Sequence, residues 1–258
     1  MIGGGRMGEA LVAGLVSGGW AAAGELRVVE RLVDRAGELR ARFPQLEVTG
    51  EVGPAEGHVV AVKPGDVAAA CRSLAAAGPG SPVLSIAAGV TIERLEAGLA
   101  PGTPVVRAMP NTPALVGAGA AAVAPGHAAG DAEMAWAEQV LGAVGQVVRV
   151  DESLLDAVTG LSGSGPAYVF LVAEALVEAG VLAGLPRPVS TTLATQTLLG
   201  AARLLDESHE GPEALRAAVT SPGGTTAAGL RALESAGVRA AFLDAVMAAT
   251  ERSRELGT

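Results

Sequence analysis

Aromatic residues and positive charge are scarce in this sequence. Aromatic side chains make up 2% of its 258 residues, and the formal net charge is -9. Proteins that bind nucleic acids need a basic surface and aromatic rings on which bases can stack. The composition therefore predicts that nucleic acid is not a partner. The hydrophobic fraction of 50% is enough for a substantial core in one large domain or, as we expect, in two smaller ones.

Cysteine and histidine are scarce as well. The single cysteine, Cys71, has no partner for an internal disulfide, which predicts a small buried residue in a reducing, cytoplasmic protein. The three histidines, His58, His127 and His209, have no second ligand at helical spacing. We therefore predict no metal site.

Lysine occurs only once, although lysine and arginine together number 18. Lys63 follows the apolar run 59–62 and precedes Pro64, so it stands at the end of a predicted strand. Ligands bind at the carboxyl ends of strands in open α/β sheets. Lys63 is therefore a candidate cofactor contact, and the alternative is a surface lysine without a function.

One apolar run, residues 166–185, is about long enough to cross a bilayer. Glu174 and Glu178 lie one helical turn apart inside it. Two carboxylates in the middle of a span are costly in lipid. The run therefore predicts a buried or interface helix, and we expect no membrane partner.

Short β-like runs alternate with helical stretches in the first half of the chain. Alternation of this kind predicts parallel strands joined by crossover helices. After residue 150 the strand signal stops and apolar, alanine-rich helices follow, which favours a helical dimer interface. We predict an α/β fold with an N-terminal domain over 1–150 and an all-helical domain over 151–258. The predicted strands are 26–30, 59–62, 83–87, 105–108 and 146–150, and the predicted helices are 7–17, 34–43, 67–77, 92–99 and 131–141.

A glycine-rich turn stands at the N-terminus. The segment Gly3-Gly4-Gly5-Arg6-Met7-Gly8 has GxGxxG spacing, opens a predicted helix, and is followed by Glu30 at the end of the next predicted strand. This arrangement is typical of dinucleotide binding, because such glycines let the backbone approach a pyrophosphate at the helix N-terminus. Met1 and Ile2 alone precede the turn, which leaves almost no residues for the strand expected there.

The same segment leaves the choice of dinucleotide open. Glu30 would accept a hydrogen bond from a ribose 2′-hydroxyl and repel a 2′-phosphate, which favours NADH. Arg31 and Arg35 are either clamps for the phosphate of NADPH or solvated helix charges. Both NADPH and NADH therefore stay candidates.

A second loop with anion-binding chemistry lies near the C-terminus. The segment Thr220-Ser221-Pro222-Gly223-Gly224-Thr225-Thr226 combines hydroxyl groups with backbone N–H groups before a predicted helix. It lacks the lysine and the spacing of a P-loop. Two anion sites, one at each end of the chain, indicate a cofactor and a substrate.

In chain order, six segments resemble the pyrroline-5-carboxylate reductases. They are residues 3–8, 61–64, 85–90, 107–113, 161–168 and 219–226. The resemblance implies a Rossmann-like, mostly parallel N-terminal domain and a helical C-terminal domain that forms a homodimer, with dimers often assembled into larger rings. It also implies reduction of 1-pyrroline-5-carboxylate to L-proline by hydride transfer from NADPH or NADH.

The resemblance also implies roles for individual residues. The substrate carboxylate would be bound by Ser221, Gly223, Gly224, Thr225 and Thr226, with Thr226 matching the threonine that hydrogen-bonds the ring nitrogen. The family often has an amide residue where this chain has Ala218, which removes an expected cofactor contact. The predicted cofactor contacts, including those taken from strand ends and from the glycine turn, are Ile2, Gly3, Gly4, Gly5, Arg6, Met7, Gly8, Glu30, Arg31, Ala61, Val62, Lys63, Pro64, Ala88 and Asn111.

Two other functions stay open. A β-hydroxyacid dehydrogenase would share the two-domain plan, but those enzymes use a lysine of the helical domain as acid and base, and no lysine follows Lys63. A non-catalytic module that senses NAD(P) would keep the fold without turnover. An assay of turnover separates these possibilities.

Overall fold

The computed structural model describes residues 1–78 and 80–257 and divides the chain into two compact units. The first unit comprises residues 1–164 and the C-terminal segment that begins at Val246, and the second is Gly165–Ala245. The predicted division after residue 150 lies inside the first unit. The assignment of separate functions to residues 1–150 and 151–258 stays a prediction.

The first unit contains a mostly parallel sheet, as predicted. Strands β1 and β2 pair in parallel, and the other five follow in the order β3-β4-β5-β6-β7, with β5 and β6 as the antiparallel pair. The strands are β1 Arg27–Val29, β2 Glu47–Thr49, β3 His58–Val60, β4 Val83–Ser85, β5 Val105–Met109, β6 Gly119–Pro125 and β7 Gly145–Arg149.

The residue before the glycine turn links the two groups of strands. Ile2 forms isolated parallel bridges to Val29 of β1 and to Val60 of β3. Its N–H donates to Val59 O at 2.7 Å, and Gly3 N–H donates to Val29 O at 2.9 Å. The strand that the sequence left no room for is thus represented by Ile2, which carries the chain directly into the turn.

Five helices of the first half were predicted to within two residues of their observed bounds. They form because alanine-rich stretches of this length favour helix and place apolar side chains on one face. The helices are α1 Arg6–Ser17, α2 Val33–Arg42, α3 Val67–Ala77, α4 Ile92–Ala97, α5 Asp131–Gly142, α6 Leu155–Val158, α7 Gly165–Leu182, α8 Arg187–Glu207, α9 Pro212–Ala218, α10 Thr225–Ser235 and α11 Val238–Gly257.

Helices cover both faces of the sheet, because alternate residues of each strand point to opposite sides. On one face, α1 and α5 pack against Val59, Leu84 and Val106. On the other, α3 and α4 pack against the neighbouring residues Val60, Val83 and Val105. Cys71 lies fully buried in this second layer, and burial raises the pKa of its thiol. The prediction of a buried, unpaired cysteine is confirmed.

The helices of the second unit have little core of their own. Among its described residues, Ser190 and Ala194 are the buried ones. The helices α7 and α8 approach closely at Gly180, where a Cβ atom would overlap the Ser190 hydroxyl, and Ser190 Oγ donates to Val177 O at 2.8 Å. Large apolar side chains are exposed along α7, among them Phe170 at 64%.

One stretch of the described chain, Glu152–Leu182, is long and apolar enough to cross a membrane by length and composition alone. No part of its most apolar window is buried within the chain. The same composition suits a helix that packs against another subunit.

Candidate functional site

The loops that carry the predicted cofactor residues follow the parallel strands at one edge of the sheet. The glycine turn follows Ile2, Glu30 follows β1, Ala61–Pro64 follows β3, and Ala88 follows β4. Contacts join three of them directly, because Gly4 N–H bonds the Glu30 side chain and Gly3 lies against Ala61. This edge is where open α/β sheets bind their ligands.

A different physical reason favours glycine at each of the three spaced positions of the turn. Gly3 has a φ of +99°, and a Cβ there would lie 2.6 Å from Ala61 O. A Cβ on Gly8 would overlap Gly3 O, so Gly8 lets α1 pack onto the turn. A Cβ on Gly5 would meet nothing within 4 Å. Gly5 is therefore open to solvent and leaves space for a ligand, which matches the division of roles in a dinucleotide fingerprint.

The helix that follows the turn presents free backbone donors. Gly5 is the N-cap of α1 and supplies no side-chain hydrogen bond, so the first-turn N–H groups are uncapped. These groups and the helix dipole favour an anion at this point. The residues present therefore fit the pyrophosphate of a dinucleotide.

The carboxylate of Glu30 is held against the turn by two backbone donors. Gly4 N–H donates to Oε2 at 3.0 Å, and Leu32 N–H donates to Oε1 at 2.9 Å. A carboxylate can accept about four hydrogen bonds, so capacity remains on both oxygens. Glu30 is therefore fixed in place and still able to accept a ligand hydroxyl.

Arg35 is occupied by protein groups. Its Nε donates to Gly4 O at 2.7 Å, one terminal nitrogen donates to Glu38 Oε2 at 2.6 Å, and the other pairs with Glu9, which also pairs with Arg42. Burial alone would raise the pKa of Glu9, but the two guanidinium groups outweigh it and lower that pKa. The hydrogen bonds that Arg35 donates to Glu9 and Glu38 raise its pKa. Its charge is thus neutralised within the fold.

Other cations at this edge remain exposed. Lys63 begins the short 3-10 turn Pro64–Asp66 as its N-cap, and its side chain has no hydrogen bond or ion pair with any described residue. Arg31 is likewise exposed and unpaired over the same part of the chain. Ala88 is exposed at the end of the β4 loop. The sequence prediction placed all of these at the site.

Asn111 has a role that the sequence did not indicate. Its Oδ1 accepts from Ala120 N–H at 2.8 Å, and its Nδ2 donates to Ser162 O at 3.1 Å, with the residue 9% exposed. The amide therefore ties the end of β5 to β6 and to residue 162. Both the oxygen and the nitrogen of the side-chain amide are therefore bonded to the protein backbone. This favours a positioning role over a direct cofactor contact.

A buried ion pair near Asn111 was also missed. Arg107, on the apolar strand β5, donates to Glu152 Oε1 at 2.8 Å, and that oxygen also accepts from Ile92 N–H at 2.7 Å. The available signal was a charged residue inside a run of buried strand positions, because such residues are almost always paired.

The segment Thr159–Gly163 forms a π-helical turn. A Cβ on Gly160 would lie 2.7 Å from Val246 O and overlap Thr250, and a Cβ on Gly163 would lie 2.6 Å from Met109 Cε. Close packing against the backbone thus requires Gly160, whereas the flexible end of Met109 could move away from a side chain at position 163. Turns of this kind are frequent at functional sites.

The predicted substrate loop lies in the second unit, between α9 and α10. Gly223 has a φ of +69°, and a Cβ on Gly224 would overlap the Ser221 hydroxyl. Gly224 N–H donates to Ser221 O at 3.0 Å, so this N–H is engaged in the turn. Among the described residues, no hydrogen-bond partner is found for the N–H groups of Ser221 and Gly223 or for those of Thr225 and Thr226 at the start of α10.

The side chains of this loop are accessible. Ser221, Thr225 and Thr226 are exposed, and the N-cap Gly224 supplies no side-chain bond to the helix. Thr220 differs, because its hydroxyl donates to Arg216 O at 2.6 Å. Exposed hydroxyls beside an uncapped helix N-terminus provide suitable donors for a carboxylate.

Comparison with known proteins agrees with this arrangement. Residues 152–256 match the family model described as pyrroline-5-carboxylate reductase dimerisation, and residues 1–89 match the model described as NADP oxidoreductase coenzyme F420-dependent. A pyrroline-5-carboxylate reductase of Synechocystis sp. is 45% identical over 261 residues, which cover 100% of this chain and 97% of the relative. The chain belongs to the pyrroline-5-carboxylate reductase family.

Other relatives extend over similar lengths. The pyrroline-5-carboxylate reductase of Mycobacterium tuberculosis is 46% identical, with 99% of this chain and 95% of the relative covered. A solved pyrroline-5-carboxylate reductase structure from Coxiella burnetii has a TM-score of 0.93 at 36% identity, covering 100% of this chain and 97% of the other. The Plasmodium falciparum enzyme, solved with NADP bound, has a TM-score of 0.86 at 28% identity, again covering 100% and 97%.

Family membership settles three predictions. The chain is an NAD(P)H-dependent oxidoreductase with a Rossmann-like N-terminal region, and its dimerisation region makes it a homo-oligomer. A prephenate dehydrogenase from Aquifex aeolicus matches at 13% identity with a TM-score of 0.55, which shows a shared fold alone.

Proposed function

We propose that this protein reduces 1-pyrroline-5-carboxylate to L-proline with NADPH or NADH. The observation that carries the proposal is identity of 45% with a pyrroline-5-carboxylate reductase along the whole chain, including both loops with free backbone donors. The bound dinucleotide supplies the hydride. The protein positions the reactants and neutralises their charges.

The proposed cofactor contacts lie at the carboxyl edge of the sheet. The uncapped N-terminus of α1 holds the pyrophosphate, and the open space at Gly5 lets the backbone approach it. Glu30 accepts from a ribose hydroxyl. The other contacts are Ile2, Gly3, Gly4, Arg6, Met7, Gly8, Arg31, Ala61, Val62, Lys63, Pro64 and Ala88, while Asn111 acts by holding the end of β5.

The proposed substrate contacts lie in the loop before α10. The N–H groups of Thr225 and Thr226 and the Ser221 hydroxyl bind the carboxylate. Gly223 supplies the left-handed turn, and Gly224 leaves room for the serine hydroxyl. No lysine is needed, because the dipole of α10 and these donors offset one negative charge.

The hydroxyl of Thr226 orients the ring nitrogen. An imine is protonated from solvent near neutral pH, so a strong acid is not required beside it. The hydroxyl of Thr226 is exposed at the second residue of α10. We therefore assign Thr226 as the catalytic residue that holds the nitrogen for hydride delivery.

The finer properties of the assembly also belong to this proposal. Residues 1–150 bind the cofactor, and residues 151–258 bind substrate and form a homodimer that assembles into a ring of dimers. The buried, unpaired Cys71 supports a cytoplasmic location. Neither nucleic acid nor a membrane is a proposed partner, because the net charge is -9 and a dimer interface covers the apolar helix.

A steady-state assay tests the proposed reaction. Oxidation of NADPH and of NADH is followed by absorbance with 1-pyrroline-5-carboxylate present or absent, and proline is quantified as the product. We expect oxidation that depends on the imine and yields one proline per dinucleotide. A β-hydroxyacid is the comparison substrate and should give no turnover. Dinucleotide binding without any turnover would instead identify a sensing module.

A further inference from the structure

Three successive glycines form the turn before α1, and side chains outside the turn hold the middle one. Glycine has little backbone preference of its own, so Gly3-Gly4-Gly5 needs external contacts to keep one conformation. Gly4 N–H donates to Glu30 Oε2 at 3.0 Å, and Gly4 O accepts from Arg35 Nε at 2.7 Å. Both polar groups of the Gly4 backbone are therefore fixed by residues that follow β1.

The bond from Arg35 also fixes the direction of the next N–H group. Gly4 O and Gly5 N–H belong to one planar trans peptide unit, so they point in opposite directions. Because Gly4 O is directed toward Arg35, Gly5 N–H is directed away from it. No hydrogen-bond partner is found for Gly5 N–H in the described part of the chain, and a Cβ on Gly5 would meet nothing within 4 Å. A free N–H group beside open space is available to a ligand.

Carboxylates on two helices hold Arg35 in place. One terminal nitrogen of Arg35 donates to Glu38 Oε2 at 2.6 Å, and the other pairs with Glu9 in the first turn of α1. Glu9 also pairs with Arg42. An unpaired carboxylate at this helix N-terminus would repel a second anion there. The pairing with Arg35 therefore neutralises a charge that opposes ligand binding and anchors the guanidinium that holds Gly4.

We propose that Arg35 is a positioning residue for dinucleotide binding. It orients the peptide between Gly4 and Gly5 so that Gly5 N–H faces the pyrophosphate, and Glu9 keeps Arg35 in that position. All three guanidinium nitrogens are engaged by protein groups, so Arg35 acts without touching the cofactor. The inference rests on the proposed dinucleotide role of the glycine turn. Because NADPH and NADH share the pyrophosphate, Arg35 serves both dinucleotides equally.

Calorimetric titration of the full chain with NADPH and with NADH tests this role. Arg35→Met removes the donors and keeps most of the side-chain length. We expect the Kd of both dinucleotides to rise about tenfold or more, because a donor to a charged group is no longer held in place. The ratio of the two Kd values should stay within about twofold of that in the unaltered protein, since both ligands place a pyrophosphate at this turn.

Two single variants make the result specific. Arg35→Lys keeps the charge but lacks the planar fork that joins three partners, so its Kd values should lie between those of Arg35→Met and the unaltered protein. Arg40→Met is the matched control on α2, because Arg40 Nη2 donates to Val48 O of β2 at 2.7 Å. It should leave both Kd values unchanged. A rise as large as that in Arg35→Met would identify general disturbance of α2 and contradict the positioning role.

A double variant separates orientation from charge. Glu9→Gln, added to Arg35→Met, removes the carboxylate that has lost its partner and should recover only part of the affinity, because Gly4 O is still released. Full recovery would show that charge alone limits binding and would overturn the positioning role. Unchanged Kd values in Arg35→Met, or a loss confined to NADPH, would overturn it as well.

Circular dichroism at the titration temperature shows whether each variant is folded. If Arg35→Met does not fold, Arg35→Lys is compared with Arg40→Met by the same criteria. Failure of the unaltered protein to bind either dinucleotide would contradict the proposed function instead.

Discussion

At the scale of single residues, the structure separates side chains that hold the backbone from those that are free for ligands. Arg35 and Asn111 are engaged by protein partners, although the sequence presented each as a possible ligand contact, and Glu30 is anchored by two backbone donors but keeps acceptor capacity for a ligand. Lys63 and Thr226 are exposed and have no side-chain partner in the described part of the chain. Exposure without a partner is the property expected of groups that bind a ligand.

Thr226→Ala tests the residue assigned to catalysis. We expect kcat/KM for 1-pyrroline-5-carboxylate to fall about tenfold or more, because a hydrogen bond made to the reacting imine is lost. The Kd of the dinucleotide should be little changed. Steady-state kinetics and calorimetric titration on the same preparation measure the two quantities.

Two variants serve as controls for Thr226. Thr226→Ser keeps the hydroxyl and should recover most of the lost kcat/KM. Thr192→Ala removes an exposed hydroxyl that donates to Pro188 O in α8, and should leave kcat/KM unchanged. Rates equal to those of the unaltered protein in Thr226→Ala would remove Thr226 from the mechanism.

Asn111→Ala should reduce stability. Both hydrogen bonds of the side chain are lost, and two backbone groups near the buried end of β5 are left without their partner. We expect the free energy of unfolding to fall by about 1 to 3 kcal/mol, measured by denaturant titration. Asn111→Asp keeps the acceptor for Ala120 N–H and lacks the donor to Ser162 O. Its free energy of unfolding should therefore lie between those of the unaltered protein and Asn111→Ala. Equal stability of all three proteins would contradict the positioning role.

At the scale of elements, periodicity and composition located the five helices of the first half and most strands but missed β2 and β6. The segment Gly119–Pro125 consists largely of alanine, which favours helix as an isolated peptide. It becomes a strand because β5 and β7 pair with it on both sides, and Ala121–Ala124 are buried. In this element the tertiary pairing overrides the local preference.

The glycine turn allows binding and folding to be separated by two substitutions. Gly8→Ala places a Cβ onto the backbone oxygen of Gly3, and Gly3 is itself held at a positive φ. We expect it to lower the free energy of unfolding by about 1 to 3 kcal/mol and to weaken dinucleotide binding as well. Denaturant titration and calorimetry measure the two effects.

Gly5→Ala is the matched variant. Gly5 has a φ of -64°, which alanine adopts freely, and no atom lies within 4 Å of the added Cβ. Stability should therefore change by less than about 1 kcal/mol, while the Kd of both dinucleotides rises because the methyl group occupies ligand space. An unchanged Kd would show that the ligand does not approach this residue.

At the scale of the whole molecule, the second unit cannot bury its apolar side chains by itself. Phe170, Leu171 and Leu182 of α7 are 64%, 65% and 90% exposed. Residues 152–256 match a dimerisation family, and we infer that a second subunit covers this surface. Obligate dimers commonly lack a stable folded monomer for this reason.

Phe170→Asp should shift the protein toward the monomer. A carboxylate in an apolar interface loses its hydration without gaining a partner. Sedimentation equilibrium should show a dimer dissociation constant raised by about a hundredfold or more. Val148→Asp adds the same charge at a 57% exposed position of β7 in the first unit, and should leave the dimer intact. A fully dimeric Phe170→Asp protein would place the interface elsewhere.

The sequence by itself determined the family and the α/β order, and it predicted two ligand-binding loops, because these depend on residue types at fixed spacing along the chain. The tertiary structure decided which charges are available to ligands. Arg35 and Glu9 are 26 residues apart, and only folding brings them together beside the glycine turn. It also decided that β6 is a strand and that large apolar side chains of α7 stay exposed within their own chain. Pairing between distant segments carries no local signal, which is why these features required the structure.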